Sequence, residues 1–209
     1  MGTSECLELL RLYHAERVRA ELKFFDLSFG PPGDNNGFVD VNDLKGRVAE
    51  ALVESILRRA AYRVARVGRE SQVHGLVKIG PGDFAPDFLV WKQIPEGESA
   101  QPLHRLFPIE VKYRSNLREF VRKELEPLVA KVGDQWPELY CIVVTDNPED
   151  GRSCFQVLEF KNHTPGIVPI LVDLHELTDL DIFKTTVHEY EGLVRDIFGL
   201  LNTYAHAQR

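Results

Sequence analysis

Positive charge is what this sequence is short of: 25 lysines and arginines stand against 32 aspartates and glutamates, for a net charge of −7 over 209 residues. With that balance no global field draws the chain onto nucleic acid or an anionic membrane, so a nucleic-acid contact has to come from a local basic patch. Cysteine is scarce too. Cys6, Cys141 and Cys154 are far apart and never in a CxxC pair. An odd, scattered set argues against a disulfide framework or a zinc site and fits reduced thiols in a cytoplasm-like compartment. No uninterrupted apolar run approaches the roughly 20 residues of a membrane span. The opening MGTSECLELL has no basic stretch leading into an apolar one, so no signal peptide, no membrane partner and a cytoplasmic setting are expected. No GxxxxGK[ST] loop is present to cradle phosphates, which argues against an intrinsic NTPase. The seven histidines show no metal-ligand spacing, and there is no internal repeat. An apolar share of 44% is that of an ordinary globular protein.

Along the chain, residues 5–22 read as a helix and residues 25–29 as a short strand. Residues 30–37, GPPGDNNG, form the clearest loop, so residues 1–37 are expected to be an N-terminal appendage and 38–209 the main domain. A strong helix follows, capped by Asp40 or Asn42, with Ala49, Leu52, Val53, Ile56, Leu57 and Ala60 at helical spacing. Glu50 falls at the edge of that stripe, with Glu54 and Arg58 further toward solvent; a hydrated or ion-paired flank is the plain reading of such a glutamate. Residues 62–67 alternate like a strand. Residues 84–91 and 106–113 read as two strands of an antiparallel hairpin across the bend 95–102, with a short strand at 75–79 before them. Residues 116–132 read as one helix, and 139–145 as a strand buried on both faces. Further strands are expected at 153–160 and 168–172, then a helical tail from Leu174 with Val187, Tyr190, Val194, Ile197, Leu201 and Tyr204 on one face. That stripe is read as core packing, with a homodimer seam as the lesser reading.

Residues two apart on a strand share a face, so Glu110 and Lys112 point together while Ile109, Val111 and Tyr113 point into an apolar layer. Pairing of the two hairpin strands can bring Asp87 beside Glu110. Two carboxylates that close repel unless a cation neutralises them, and hard oxygen ligands suit Mg2+, with Mn2+ able to substitute. Arg58, Arg59, Arg63, Arg66 and Arg69 form the most basic stretch, read either as a solvated face or as a phosphate-contacting ridge.

Pro86-Asp87 followed by Glu110-Val111-Lys112 resembles the signature of the PD-(D/E)xK nuclease superfamily, the restriction-endonuclease-like fold. The upstream stretch KGRVAEALVESILRRAAYRVARVG is similar to the first helix and strand of its Holliday-junction-resolvase-like branches, with Gly46 four residues before Glu50. The resemblance spans roughly residues 45–145. It implies an α/β fold of core order αβββαβ, a central mixed sheet flanked by helices, with helical additions at both ends. It implies further that Asp87, Glu110 and the main-chain carbonyl of Val111 bind magnesium, that Glu50 completes the site, and that Lys112 is the catalytic lysine. The expected activity is endonucleolytic hydrolysis of phosphodiester bonds in DNA by a metal-activated water. Arg58, Arg59, Arg63, Arg66 and Arg114 are the expected nucleic-acid contacts. Two other readings stand beside it: a catalytically inactive nuclease-fold module for nucleic-acid binding or assembly, and an unrelated α/β fold with merely solvated charges.

Overall fold

A computed structural model describes residues 40–67, 84–93, 104–132, 135–159 and 170–207. The expected helix at 5–22, the strands at 25–29 and 75–79, and the loops at 30–37, 95–102 and 165–166 lie outside the described residues in whole or nearly so. The chain divides into two units at Val39–Asp40. The second is α/β, a mixed six-stranded sheet flanked by helices.

Helix α1, Val41–Arg59, starts where its capping residue dictates: Asp40 accepts from the main-chain N–H of Asn42 at 2.8 Å. Its stripe buries Val48, Ala49, Leu52, Val53, Ile56 and Leu57. The helix ends at Ala60, and Ala61 takes a left-handed φ of 66° that turns the chain into strand β1, Arg63–Arg66. Strand β2 runs Phe88–Gln93, starting later than the expected 84–91. Pro86 explains the delay, because it lacks an N–H for a ladder and restricts the backbone on either side. Strand β3, His104–Tyr113, pairs antiparallel with β2 in the register Phe88↔Ile109 to Gln93↔His104.

The expected helix at 116–132 is two helices, α2 at Leu117–Lys123 and α3 at Leu125–Val132. Pro127 is the reason: it cannot donate back to Lys123 and crowds that carbonyl, so the helix breaks and restarts with proline in its first turn, where no N–H is missed. Asn116 caps α2 by accepting from the N–H of Glu119 at 3.0 Å. Strand β4, Tyr140–Val144, is buried throughout and lies parallel to β3, with α2 and α3 in the crossover. Strands β5, Phe155–Glu159, and β6, Val172–Asp173, complete the sheet in the order β1-β2-β3-β4-β5-β6. A 3-10 turn, Leu174–Glu176, precedes the long helix α4, Lys184–Ala207, so the tail becomes α-helical later than the reading from Leu174 onward.

The sheet separates two apolar layers. Helices α1 and α4 pack on one face over Phe88, Val90, Ile109, Val111 and Tyr113, while α2 and α3 cover the other over Cys141, Val143 and Leu158. Fully buried residues such as Ile56, Leu57 and Phe198 each contribute roughly 1.5–3 kcal/mol relative to exposure. Tyr204, assigned from the sequence to the tail's apolar stripe, instead faces solvent at 55% exposure, and the stripe ends on Phe198 and Leu201. Among the described residues, no helix is long and apolar enough to cross a membrane.

Candidate active site

Continuing the β2–β3 register one step past Phe88↔Ile109 sets Asp87 opposite Glu110. Asp87 sits just before β2, where its main-chain oxygen accepts from the N–H of Val67 at 3.0 Å. Its side chain turns to β3. The N–H of Val111 has run beyond the end of the ladder, and Asp87 Oδ2 accepts it at 2.7 Å. A buried N–H that lost its partner would be costly, so this bond fixes the Asp87 carboxylate against β3.

Glu110 is 3% exposed. Lys112 Nζ, on the same face of β3, donates to Glu110 Oε1 in an ion pair. Glu110 Oε2 is buried and, among the described residues, has no donor. The Asp87 and Glu110 carboxyl groups lie within hydrogen-bonding reach of each other, so an acceptor faces an acceptor unless a proton or a cation stands between them. The electrostatics follow. Burial, then the Asp87 charge, pushes Glu110 up to about 7. Burial also raises Asp87, against the pull of the Val111 N–H and Lys112. Burial pulls Lys112 down, but the charge and hydrogen bond of Glu110, with the charge of Asp87, together hold it above its ordinary value.

Glu50 comes from α1. Burial raises its carboxyl, and the next cause is the charge of Asp87, which places the two in one field. Arg66 Nη1 is 3.7 Å from Glu50 Oε2, and the same guanidinium is anchored on Glu54 through Nε at 3.0 Å and Nη2 at 2.6 Å. Arg58 pairs with Glu54, one turn earlier on the helix, and not with Glu50 as the plain reading of that flank had it; the cation beside Glu50 is Arg66.

The structure therefore brings together Glu50, Asp87, Glu110 and Lys112, with Arg66 at their margin. Of the expected basic ridge, Arg58 and Arg66 meet on Glu54, and Arg69 lies outside the described residues. Arg58 is held by Glu54, Arg59 by Glu189 at 2.5 Å, and Arg114 by Glu124 through Nε at 2.9 Å. Arg63 is exposed on the edge strand β1. Each internal pair cancels field that a phosphate backbone would need.

Among the described residues, clusters that the sequence reading missed include the following two. Asp173, His175 and Glu176 place one ligand atom each within 4.8 Å of one another, although Arg152 Nε already donates to Asp173 Oδ1 at 2.8 Å. Adjacent in sequence, they read as the start of a helix, and only the 3-10 turn gathers them. The other is a buried ring of Lys45, Tyr113 and Asp146. Its one signal was Lys45 itself, a cation in line with Ala49, Leu52 and Ile56 on the buried face of α1. No protein-family model, curated protein or solved structure gives a significant match to this chain.

Proposed function

We propose that the chain is a metal-dependent nuclease of the restriction-endonuclease-like fold that hydrolyses phosphodiester bonds in DNA. One observation carries the reading: among the described residues no donor meets the buried Glu110 Oε2, in a site where a second carboxylate, Asp87, stands beside Glu110. The donor set fits a hard divalent cation, Mg2+ or Mn2+. Asp87 and Glu110 supply carboxylate oxygens, and Glu50 adds one from α1. Val111 turns its N–H toward Asp87, and an extended residue projects its carbonyl to the same side of the strand. Such a cation relieves the repulsion and satisfies the orphan oxygen. When bound, it supplies Lewis acidity toward a phosphoryl oxygen and lowers the pKa of an attacking water.

The protein's own groups set the geometry. The Val111 N–H orients Asp87, and Lys112 orients Glu110. Lys112, 30% exposed in its side chain, has ammonium protons left for an incoming phosphate and offsets charge that builds on it. The sequence of elements, helix α1, strands β1 to β3, helices α2 and α3, then β4 parallel to β3, supports this reading.

A second reading, the inactive nuclease-fold module, draws support from the arginines: Arg58, Arg59 and Arg114 are held by the protein's own carboxylates. The test is incubation with supercoiled, linear, branched and single-stranded DNA in Mg2+ or Mn2+. The wild type is expected to cleave at least one substrate, and Asp87→Ala and Lys112→Ala are expected to cleave none while remaining folded. Full activity in either variant sinks the nuclease reading, and cation binding without cleavage of any substrate selects the module.

A further inference from the structure

Lys45 is a lysine where a helix core position would ordinarily carry an apolar side chain, with 3% exposure. Its Nζ donates to Tyr113 Oη at 2.8 Å and to Asp146 Oδ2 at 2.6 Å. Tyr113 Oη donates in turn to Asp146 Oδ1 at 2.9 Å, which closes a ring of three polar groups. Asn202 Nδ2 reaches Asp146 Oδ2 at 3.3 Å. The ammonium lies 4.8 Å from the centre of the Tyr113 ring and 5.3 Å from that of Phe198, and those two rings meet edge to face at 5.1 Å. Helix α1, strand β3, the turn after β4 and helix α4 thus converge on one buried cation.

A buried ion pair of this kind contributes little net stability, because desolvation offsets its attraction and apolar residues of similar volume often do as well. What it adds is geometry. Each partner has one place to sit, whereas apolar packing tolerates small slides. The ring's position relative to the active site gives that geometry a use. Tyr113 follows Lys112 directly, on the opposite face of β3. Lys45 precedes Glu50 by five residues, roughly 7.5 Å along the helix axis. Further down α1, Ser55 bonds Tyr190 at 2.7 Å and Arg59 pairs with Glu189, both on α4. Lys45 instead ties the helix to β3.

We propose that the Lys45–Tyr113–Asp146 ring is a positioning device for the active site. It fixes the height and rotation of α1 against β3, so that Glu50 meets the Asp87–Glu110 pair. The three are positioning residues that act through Glu50, and the inference rests on the metal-site reading above. A carboxylate delivered from a separate element is the member of the site most easily misplaced, and a displacement of about 1 Å is enough to spoil such a constellation.

The test is calorimetric titration of Mn2+ into the wild type, Tyr113→Phe, Lys45→Met, Glu50→Gln and the Lys45→Met/Glu50→Gln double variant. Tyr113→Phe keeps the ring packed on Phe198 and removes only the hydroxyl, so it serves if Lys45→Met does not fold. Lys45→Met and Glu50→Gln are each expected to weaken Mn2+ binding about tenfold, the scale for groups that orient metal ligands, and Tyr113→Phe about threefold. In the Glu50→Gln background, Lys45→Met is expected to cost nothing further, because its effect passes through Glu50. A general structural role would weaken both backgrounds alike, and that result overturns the proposal. Unchanged affinity in folded Tyr113→Phe and Lys45→Met overturns it too, while leaving the metal site standing. A wild type that binds no Mn2+ removes the metal site, and the positioning role with it.

Discussion

The sharpest stability consequence of the site concerns Glu110→Gln. Glu110 is raised from 4.5 to about 7, equivalent to about 3 kcal/mol. The folded state binds this proton more tightly than the unfolded chain does. Its contribution is therefore fully present below about pH 4.5 and is lost as pH rises through about 7. Urea denaturation in EDTA, from about pH 4.5 to about pH 8, should show the wild type losing up to about 3 kcal/mol across that window. Glu110→Gln has no proton to lose there and relieves Asp87 of its neighbour's charge, so most of that slope should vanish. Asp87 and Glu50, also raised by burial, keep a small residue of the same sign. Adding Mn2+ at the alkaline end should restore the wild type, with the cation standing where the proton stood. An equal slope in wild type and variant would place the titrating proton on a group other than Glu110.

Arg66→Ala should tighten Mn2+ binding about threefold in calorimetric titration, once a cation 3.7 Å from Glu50 is gone. Weaker Mn2+ binding in the variant would mark Arg66 as merely structural. Arg59→Ala and Arg114→Ala should each change DNA affinity less than about twofold, because Glu189 and Glu124 already hold those guanidiniums; filter binding at moderate salt decides, and a large loss for either would restore the basic ridge. Asp40→Ala removes the cap of α1 and should lower stability by about 1 kcal/mol in urea melts. No change would mean the bond to Asn42 contributes nothing.

Local features were the most legible in the sequence. Asp40 as a cap, the stripe from Ala49 to Leu57, and the two-residue period that sets Glu110 and Lys112 on one face all follow from neighbours in the chain. The register that carries Asp87 to Glu110 was legible only as a condition, because pairing depends on where β2 begins, and Pro86 delays it. The helix break was written in the chain as Pro127, which the run of apolar positions from Leu117 to Val132 obscured. Long-range polar partners were not legible. Whether Arg59 is free for phosphate depends on Glu189, which folding brings from the far end of the chain. Lys45 lies in line with the buried stripe of α1, but its partners, Tyr113 and Asp146, lie far along the sequence and could not be read from it. The arginines near the start of the domain therefore looked more available than they are, and the site itself looked less organised than it is.

The proposed function stands or falls on a divalent cation held by Asp87 and Glu110. Crystals of the protein soaked in Mn2+ and measured at a wavelength where manganese scatters anomalously will show whether one binds there. An anomalous peak is expected between the Asp87 and Glu110 carboxylates, within bonding reach of the Val111 carbonyl. A peak only at Asp173, His175 and Glu176, or no peak at all, would contradict it.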